Sequence, residues 1–139
     1  MIEINNLTFT EVKKSYLKKV VRTVLKGEEK KDSYLSIAFI GALRMKKLNN
    51  KYLKRNYPTD VLVFLEKETY PEINNLGEIV ICLQVVKRNA KKFNLTFEKE
   101  LSKVLIHGVL HLLGYDHEKS AKKAKEMEKK ENYYLKKLF

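Results

Sequence analysis

The sequence predicts one α+β domain over residues 1–139, in which a small mixed β-sheet packs against helices and a metal site lies on a central, buried helix. Segments with apolar residues at helical spacing alternate with short runs rich in β-branched and aromatic residues, which are typical of strands. A chain of 139 residues with 44% hydrophobic residues has enough apolar surface for a single core. All three histidines fall between positions 107 and 117, which indicates one functional centre.

The first half of the chain predicts two strands and two helices. Residues 1–9 can hold a short strand, and Thr10 can cap a helix that runs to about Lys26 and is closed by Gly27. Apolar residues recur along this helix at four-residue spacing: Val12, Tyr16, Val20 and Val24. Residues 34–40 predict a strand, residues 42 to about 52 a second helix, and residues 56–60 a loop.

The second half predicts two more strands, the metal helix and a charged C-terminal helix. Residues 61–65 and 78–83 are apolar runs that predict central strands, separated by the turn residues Pro71, Asn74, Asn75 and Gly77. The next helix is expected to start near Thr96, with Glu98 and Glu100 in its first turn, and to be nearly buried. The helix expected from residue 118 onward has a narrow apolar stripe that favours packing on the domain: Ala121, Ala124, Met127, Tyr134 and Leu138.

Composition limits the partners and the compartment. Twenty-nine Lys and Arg against seventeen Asp and Glu give a net charge of +12, which favours a polyanion such as nucleic acid, although many lysines would lie on solvated helix faces. The longest apolar runs have about five residues, and no signal pattern opens the chain, so we expect a cytoplasmic protein without a membrane partner. The single cysteine, Cys82, is expected to be a buried strand thiol.

The histidines have the spacing H-x3-H-x5-H. His107 and His111 are one helical turn apart, so their imidazoles project from the same helix face. Gly114 can take the left-handed conformation after the last turn and bring His117 back as a third ligand. Three imidazoles that leave a fourth position open are typical of catalytic zinc, although copper, nickel or iron also accept them. The motif therefore predicts one divalent metal per chain, with zinc as the first choice.

Gly108 narrows the chemistry that this metal can support. A zinc peptidase of the H-E-x-x-H type has its general-base glutamate directly after the first histidine, where this chain has Gly108. Peptide hydrolysis would therefore lack its base. A metal-bound water with a lowered pKa could still attack a phosphodiester, so phosphodiester cleavage is the favoured reaction.

Residues 107–117 resemble the signature of the YbeY family of metal-dependent endoribonucleases, whose pattern is H-G-x-L-H-L-x-G-Y-D-H. Residues 48–64 resemble its L-N-x-x-Y and P-T-D-V-L-S-F block, and residues 76–81 its L-G-D-I-x-I strand, so the resemblance covers roughly residues 35–118. It implies an α+β fold with zinc on His107, His111 and His117. It also implies a single-strand-specific endoribonuclease that matures the 3′ end of 16S rRNA and takes part in ribosome quality control. The implied partners are ribosomal RNA and the small ribosomal subunit, with a ribosomal protein or a GTPase as further candidates.

One family residue is missing. The family usually has an arginine after the tyrosine of the L-N-x-x-Y block, and this chain has Leu53 there. Lys54 and Arg55 follow and are the candidate RNA-binding residues; Arg55 is also a candidate catalytic residue, because lysine lacks the bidentate contact of a guanidinium. Asp116 is a second catalytic candidate, either orienting a histidine or carrying a proton, with a plain turn role as the alternative. No general acid is identified.

Two other functions stay open. A non-catalytic RNA-binding ribosome assembly factor would use the same basic surface and keep the zinc for structure. A zinc metallopeptidase is the weaker alternative, because Gly108 replaces its base.

Overall fold

The computed structural model describes residues 1–66 and 74–139. In chain order the elements are β1 (Ile2–Asn6), α1 (Lys14–Gly27), β2 (Tyr34–Ile40), α2 (Ala42–Leu53), β3 (Val61–Leu65), β4 (Asn75–Cys82), α3 (Leu83–Lys92), α4 (Phe97–Leu112) and α5 (Ala121–Leu138). The expected α+β class is confirmed. The predicted turn residue Pro71 lies outside the described residues.

The four strands form one mixed sheet in the order β1-β2-β4-β3. β2 pairs in parallel with β1 and β4, whereas β3 pairs antiparallel with β4. β4 is a central strand, as predicted, but the expectation that β3 is central is wrong. An apolar run does not specify its neighbours, and only Leu62 of β3 is buried, as suits an edge strand.

β4 begins three residues earlier than predicted, so Asn75 and Gly77 lie in the strand and not in a turn. Tyr34 pairs with Asn75 and Leu35 with Gly77, which leaves one extra residue on β4 as a bulge. Gly77 has φ +133°, and a Cβ there would collide with the carbonyl oxygen of Phe64. The glycine is therefore needed for the bulge and for the close approach of β3.

α4 lies in the main core, as predicted. It contacts α1, α3, α5, β3 and β4, and ten of its sixteen residues are buried. A Cβ at Gly108 would lie 3.0 to 3.3 Å from the side-chain carbons of Ile79, so α4 packs closely on β4 at this point. A smaller cluster lies between the sheet, α2 and α3, and consists of Ile40, Met45, Leu62, Val80, Cys82 and Val85. Cys82 is fully buried at the end of β4, which confirms the prediction for its thiol.

Helix starts depend on side-chain hydrogen bonds. α4 starts as predicted, since the Thr96 hydroxyl accepts from the backbone N–H of Lys99 at 3.1 Å. α5 starts at Ala121, later than predicted, because Ser120 caps it. α1 starts at Lys14, and its predicted cap at Thr10 is wrong. The Asn6 side-chain amide donates to the Thr10 carbonyl at 2.8 Å. This carbonyl therefore accepts a hydrogen bond within the loop and not the first hydrogen bond of a helix.

Of the described residues, no helix is both long and apolar enough to cross a membrane.

Candidate metal centre

The structure brings the three histidines together at the end of α4. The ring centroids of His107 and His117 are 5.2 Å apart, those of His107 and His111 6.4 Å, and those of His111 and His117 6.3 Å. His107 and His111 lie on one face of α4, and Gly114, with φ +103°, turns the chain so that His117 returns towards them. The local geometry expected from the spacing is therefore present.

The donor chemistry fits a divalent transition metal, but the triad is wider than a closed coordination shell. Three imidazoles around one tetrahedral zinc place their ring centroids roughly 5 Å apart, which the His107–His117 pair matches and the two pairs with His111 exceed by about 1 Å. Within residues 1–66 and 74–139, no three His, Cys, Asp or Glu side chains are placed to hold an ion as they stand. His111 Nδ1 is buried and has no hydrogen-bond partner there. If all three rings held one ion, His111 would have to lie closer to the other two, and among the described residues no hydrogen bond at its Nδ1 holds it in its present position.

Glu131 of α5 orients His107. Its Oε1 lies 2.7 Å from Nδ1 of His107, and the two side chains are only 18% and 27% exposed. A carboxylate that accepts this hydrogen bond favours, in a neutral imidazole, the tautomer with the proton on Nδ1 and the lone pair of Nε2 free. A carboxylate that fixes the tautomer of a metal-binding histidine is a common supporting interaction at metal sites. Sequence reasoning missed Glu131, although it occupies the same helix face as Met127 and Tyr134.

Glu28, at the end of α1, anchors the loop that carries His117. Tyr115 donates a hydrogen bond to Oε1 of Glu28 at 2.5 Å, Lys130 donates to Oε2 at 3.1 Å, and Tyr134 also donates to Oε2. Burial alone would raise the pKa of Glu28, but these donors outweigh it and the pKa is lowered. Burial and the hydrogen bond to Glu28 raise the pKa of Tyr115 to about 12. The loop is thus tied to both α1 and α5 by a charged, largely buried carboxylate.

Asp116 lies between the second and third histidines but its carboxylate serves the turn. Its Oδ1 accepts a hydrogen bond from the backbone N–H of Glu118 at 2.8 Å, and this bond is the main reason that its pKa is lowered. The turn role considered from the sequence is therefore present. A catalytic role for Asp116 stays a prediction.

Lys54 and Arg55 lie at the far end of α2, where both are exposed. Lys54 ends the helix in the left-handed conformation, with φ +55°. The buried Asn49 donates from its amide to the carbonyl of Tyr57 at 2.8 Å and so holds the following loop. Neither cation lines the cleft beside His107, so their roles in catalysis and RNA binding also stay predictions.

A cleft of about 290 Å³ opens beside His107 and Glu131. Asp60, from the P-T-D block, and Glu100 also line it. Glu100 is only 3% exposed and its Oε2 has no hydrogen-bond partner among the described residues. Burial raises its pKa, the nearby Lys103 lowers it, and Asp60 raises it further, with a net rise. The sequence placed Glu100 in the first turn of α4 but gave no sign that it faces a cleft.

Comparisons with known proteins agree with this architecture. The profile of the family described as Endoribonuclease YbeY matches residues 3–139. This match is longer than the motif resemblance, which covers roughly residues 35–118. The chain is 42% identical over 110 residues to Endoribonuclease YbeY of Thermotoga petrophila, which covers 78% of this chain and 69% of that one. It is 35% identical over 139 residues to Endoribonuclease YbeY of Chlorobium luteolum, and the match covers 99% of this chain and 98% of that one. A solution structure of a Thermotoga maritima protein superimposes with a TM-score of 0.69 at 38% identity, covering 99% of this chain and 89% of that one. The chain therefore belongs to the YbeY family of endoribonucleases.

Proposed function

We propose that this protein is a zinc-dependent endoribonuclease that cuts single-stranded RNA at the 3′ end of 16S rRNA, in the cytoplasm, and so acts in ribosome maturation and quality control. The small ribosomal subunit is the proposed partner, with a ribosomal protein or a GTPase as further candidates. The observation that carries the proposal is the convergence of His107, His111 and His117, within the family signature, on a site where Glu131 already orients one ring.

His107, His111 and His117 would hold the metal, with nickel or another divalent transition ion as the alternative to zinc. A bound zinc supplies Lewis acidity to a phosphoryl oxygen and lowers the pKa of a coordinated water. The protein supplies the orientation. Glu131 keeps the lone pair of His107 Nε2 available, and the hydrogen bond from Tyr115 to Glu28 holds the His117 loop against α1.

Gly108 supports a phosphodiester over a peptide as the bond that is cut. A Cβ at this position would lie 3.0 to 3.3 Å from the side-chain carbons of Ile79, so a glutamate could be accommodated only if Ile79 moved. The close packing of α4 on β4 therefore disfavours the general-base glutamate of a zinc peptidase.

Charge supports RNA as the substrate. The net charge of +12 favours binding to a phosphate backbone, and Lys54 and Arg55 are exposed and available for it. We propose that these two residues bind RNA, that Arg55 also supports catalysis, and that Asp116 assists the histidines, with its turn bond as the competing role.

The test compares wild type, His111→Ala and Glu128→Ala for zinc content, RNA binding and cleavage of a fragment with the 16S rRNA 3′ end. Glu128 is exposed on α5, one turn before Glu131, so its variant controls for the loss of a side chain near the site. We expect His111→Ala to lose zinc and cleavage but to keep most RNA affinity, because lysines and arginines provide that affinity. Circular dichroism and thermal melting must show that the variant is folded. If the folded, metal-free variant cuts RNA as fast as wild type, the metal is not catalytic and the assembly-factor alternative replaces the enzyme.

A further inference from the structure

Phe93 presents its ring at the mouth of the cleft beside His107. It follows the last residue of α3, is 52% exposed and lines the same cleft as His107. Lys92 Nζ lies 5.7 Å from the ring centroid, and Lys103 Nζ, from α4, lies 5.5 Å from it. Two helices therefore place a half-exposed aromatic ring, with two mobile ammonium groups over it, next to the candidate metal centre.

This combination matches the chemistry of a single-stranded nucleic acid. Bases stack on aromatic side chains without regard to sequence, and flanking lysines bind the phosphates on either side. In a duplex each base is already stacked and paired, so a lone exposed ring selects an unpaired nucleotide. We propose that Phe93, Lys92 and Lys103 form a subsite for one nucleotide of single-stranded RNA, in which the base stacks on Phe93 and an adjacent phosphodiester reaches His107. This inference rests on the proposed function in taking RNA as the ligand.

The size and charge of the cleft are consistent with this occupant. At about 290 Å³ it lies at the lower end of small-ligand pockets, which suits one nucleoside. The carboxylates of Asp60, Glu100 and Glu131 would repel a phosphate placed among them. Glu131 is paired with His107, Asp60 accepts a hydrogen bond from Thr59, and burial raises the pKa of Glu100. The base would therefore enter the cleft on Phe93, while one flanking phosphate stays at the rim beside Lys92 and Lys103 and the other reaches His107.

Tryptophan fluorescence can test the stacking directly, because the sequence contains no tryptophan. Phe93→Trp gives the chain a single tryptophan, in the proposed subsite, which can be excited selectively beyond the absorption of the eight tyrosines. Tyr133→Trp is the matched control, since Tyr133 is 56% exposed and has one lysine, Lys137, 5.7 Å from its ring, but does not line the cleft. In a metal chelator, titration with single-stranded RNA should quench the indole emission of the Phe93→Trp variant in step with binding. The emission of the Tyr133→Trp variant should stay unchanged.

Affinity measurements give a second, independent readout. Phe93→Ala should weaken binding of a single-stranded oligonucleotide roughly ten-fold to a hundred-fold, but should not change binding of the same backbone without bases. Replacing Lys92 and Lys103 by glutamine should lower the slope of log affinity against log salt by about 1.4, at 0.7 per phosphate contact on a single strand. Thermal melting checks that each variant is folded.

The outcomes separate this inference from the proposed function. If wild type binds RNA but the emission of Phe93→Trp is not quenched and Phe93→Ala binds as tightly as wild type, the subsite is refuted while the endoribonuclease proposal stands. If wild type binds no RNA, both are refuted. Cleavage without zinc would refute the metal proposal alone, because the binding measurements are made in chelator.

Discussion

Removal of the Glu131 carboxylate should weaken zinc binding although Glu131 is not one of the proposed ligands. Its hydrogen bond to His107 Nδ1 is 2.7 Å long, and a hydrogen bond to a charged group contributes about 1.5–3 kcal/mol. Loss of such a supporting carboxylate lowers metal affinity about ten-fold to a hundred-fold. Because the two side chains are 27% and 18% exposed, water can partly replace the bond. For Glu131→Ala we expect the lower half of that range, about ten-fold to thirty-fold.

The assay is titration of metal-free protein with zinc against a chromogenic chelator. Glu131→Gln keeps an acceptor oxygen but not the charge, so its zinc affinity should be about three-fold lower than that of wild type and higher than that of Glu131→Ala. Glu128→Ala removes the same charge one turn earlier on α5 at an exposed position and should bind zinc like wild type. Nitrogen chemical shifts of His107 should show a proton on Nδ1 in wild type and a mixture of tautomers in Glu131→Ala. Equal zinc affinity of Glu131→Ala and Glu128→Ala would refute the orienting role.

Three further predictions concern stability and RNA binding. Glu28→Gln should destabilise the protein at pH 7 by about 1–2 kcal/mol, and the difference from wild type should shrink below about pH 4.5. The pKa of Glu28 is lower in the folded state than in the unfolded chain, so the ionised carboxylate stabilises the fold above its ordinary pKa. This stabilisation disappears as pH falls through the folded-state pKa. Urea melts of wild type and Glu28→Gln from pH 3 to 7 measure the difference, and no trend with pH would show that Glu28 does not stabilise the fold. Gly108→Val should lower the free energy of unfolding by about 2 kcal/mol, since the added methyls meet Ile79, and a thermal melt like that of wild type would mean that α4 does not pack closely there. Replacing Lys54 and Arg55 by glutamine should lower the salt slope of RNA binding by about 1.4, whereas an unchanged slope would place the RNA elsewhere on the surface.

The positions of the histidines could be predicted because they depend on local geometry. One helical turn separates His107 from His111, and a glycine after the helix is enough to return His117. The carboxylate that orients His107 could not be predicted, because its partner is 24 residues away and depends on how α5 docks on α4. A sequence signal did exist: Glu131 is the polar residue in the apolar stripe of α5, between Met127 and Tyr134.

The fold was predictable where the periodicity was clear and the ends were marked. β2 and β3 have the predicted bounds, and Thr96 caps α4 as expected. α3 was missed because it continues directly from β4: its first residues, including Val85 and Val86, are strand formers, and Cys82 precedes it without a side-chain cap. Which strand is at the edge was not predictable either, since the order of strands is decided by pairing between distant segments and by the helices that cover them.

The anchoring of Glu28 by Tyr134 joins parts of the chain that are 106 residues apart. The histidine motif is local, but the groups that hold it come from the first helix and the last, so the centre is complete only after the C-terminal helix has docked. If the proposed metal binds there, its binding and the docking of α5 are linked equilibria, and each strengthens the other by the same free energy. The same contacts predict that removal of α5 would weaken the proposed zinc site although all three histidines remain, because Glu131 and Tyr134 would be lost with it.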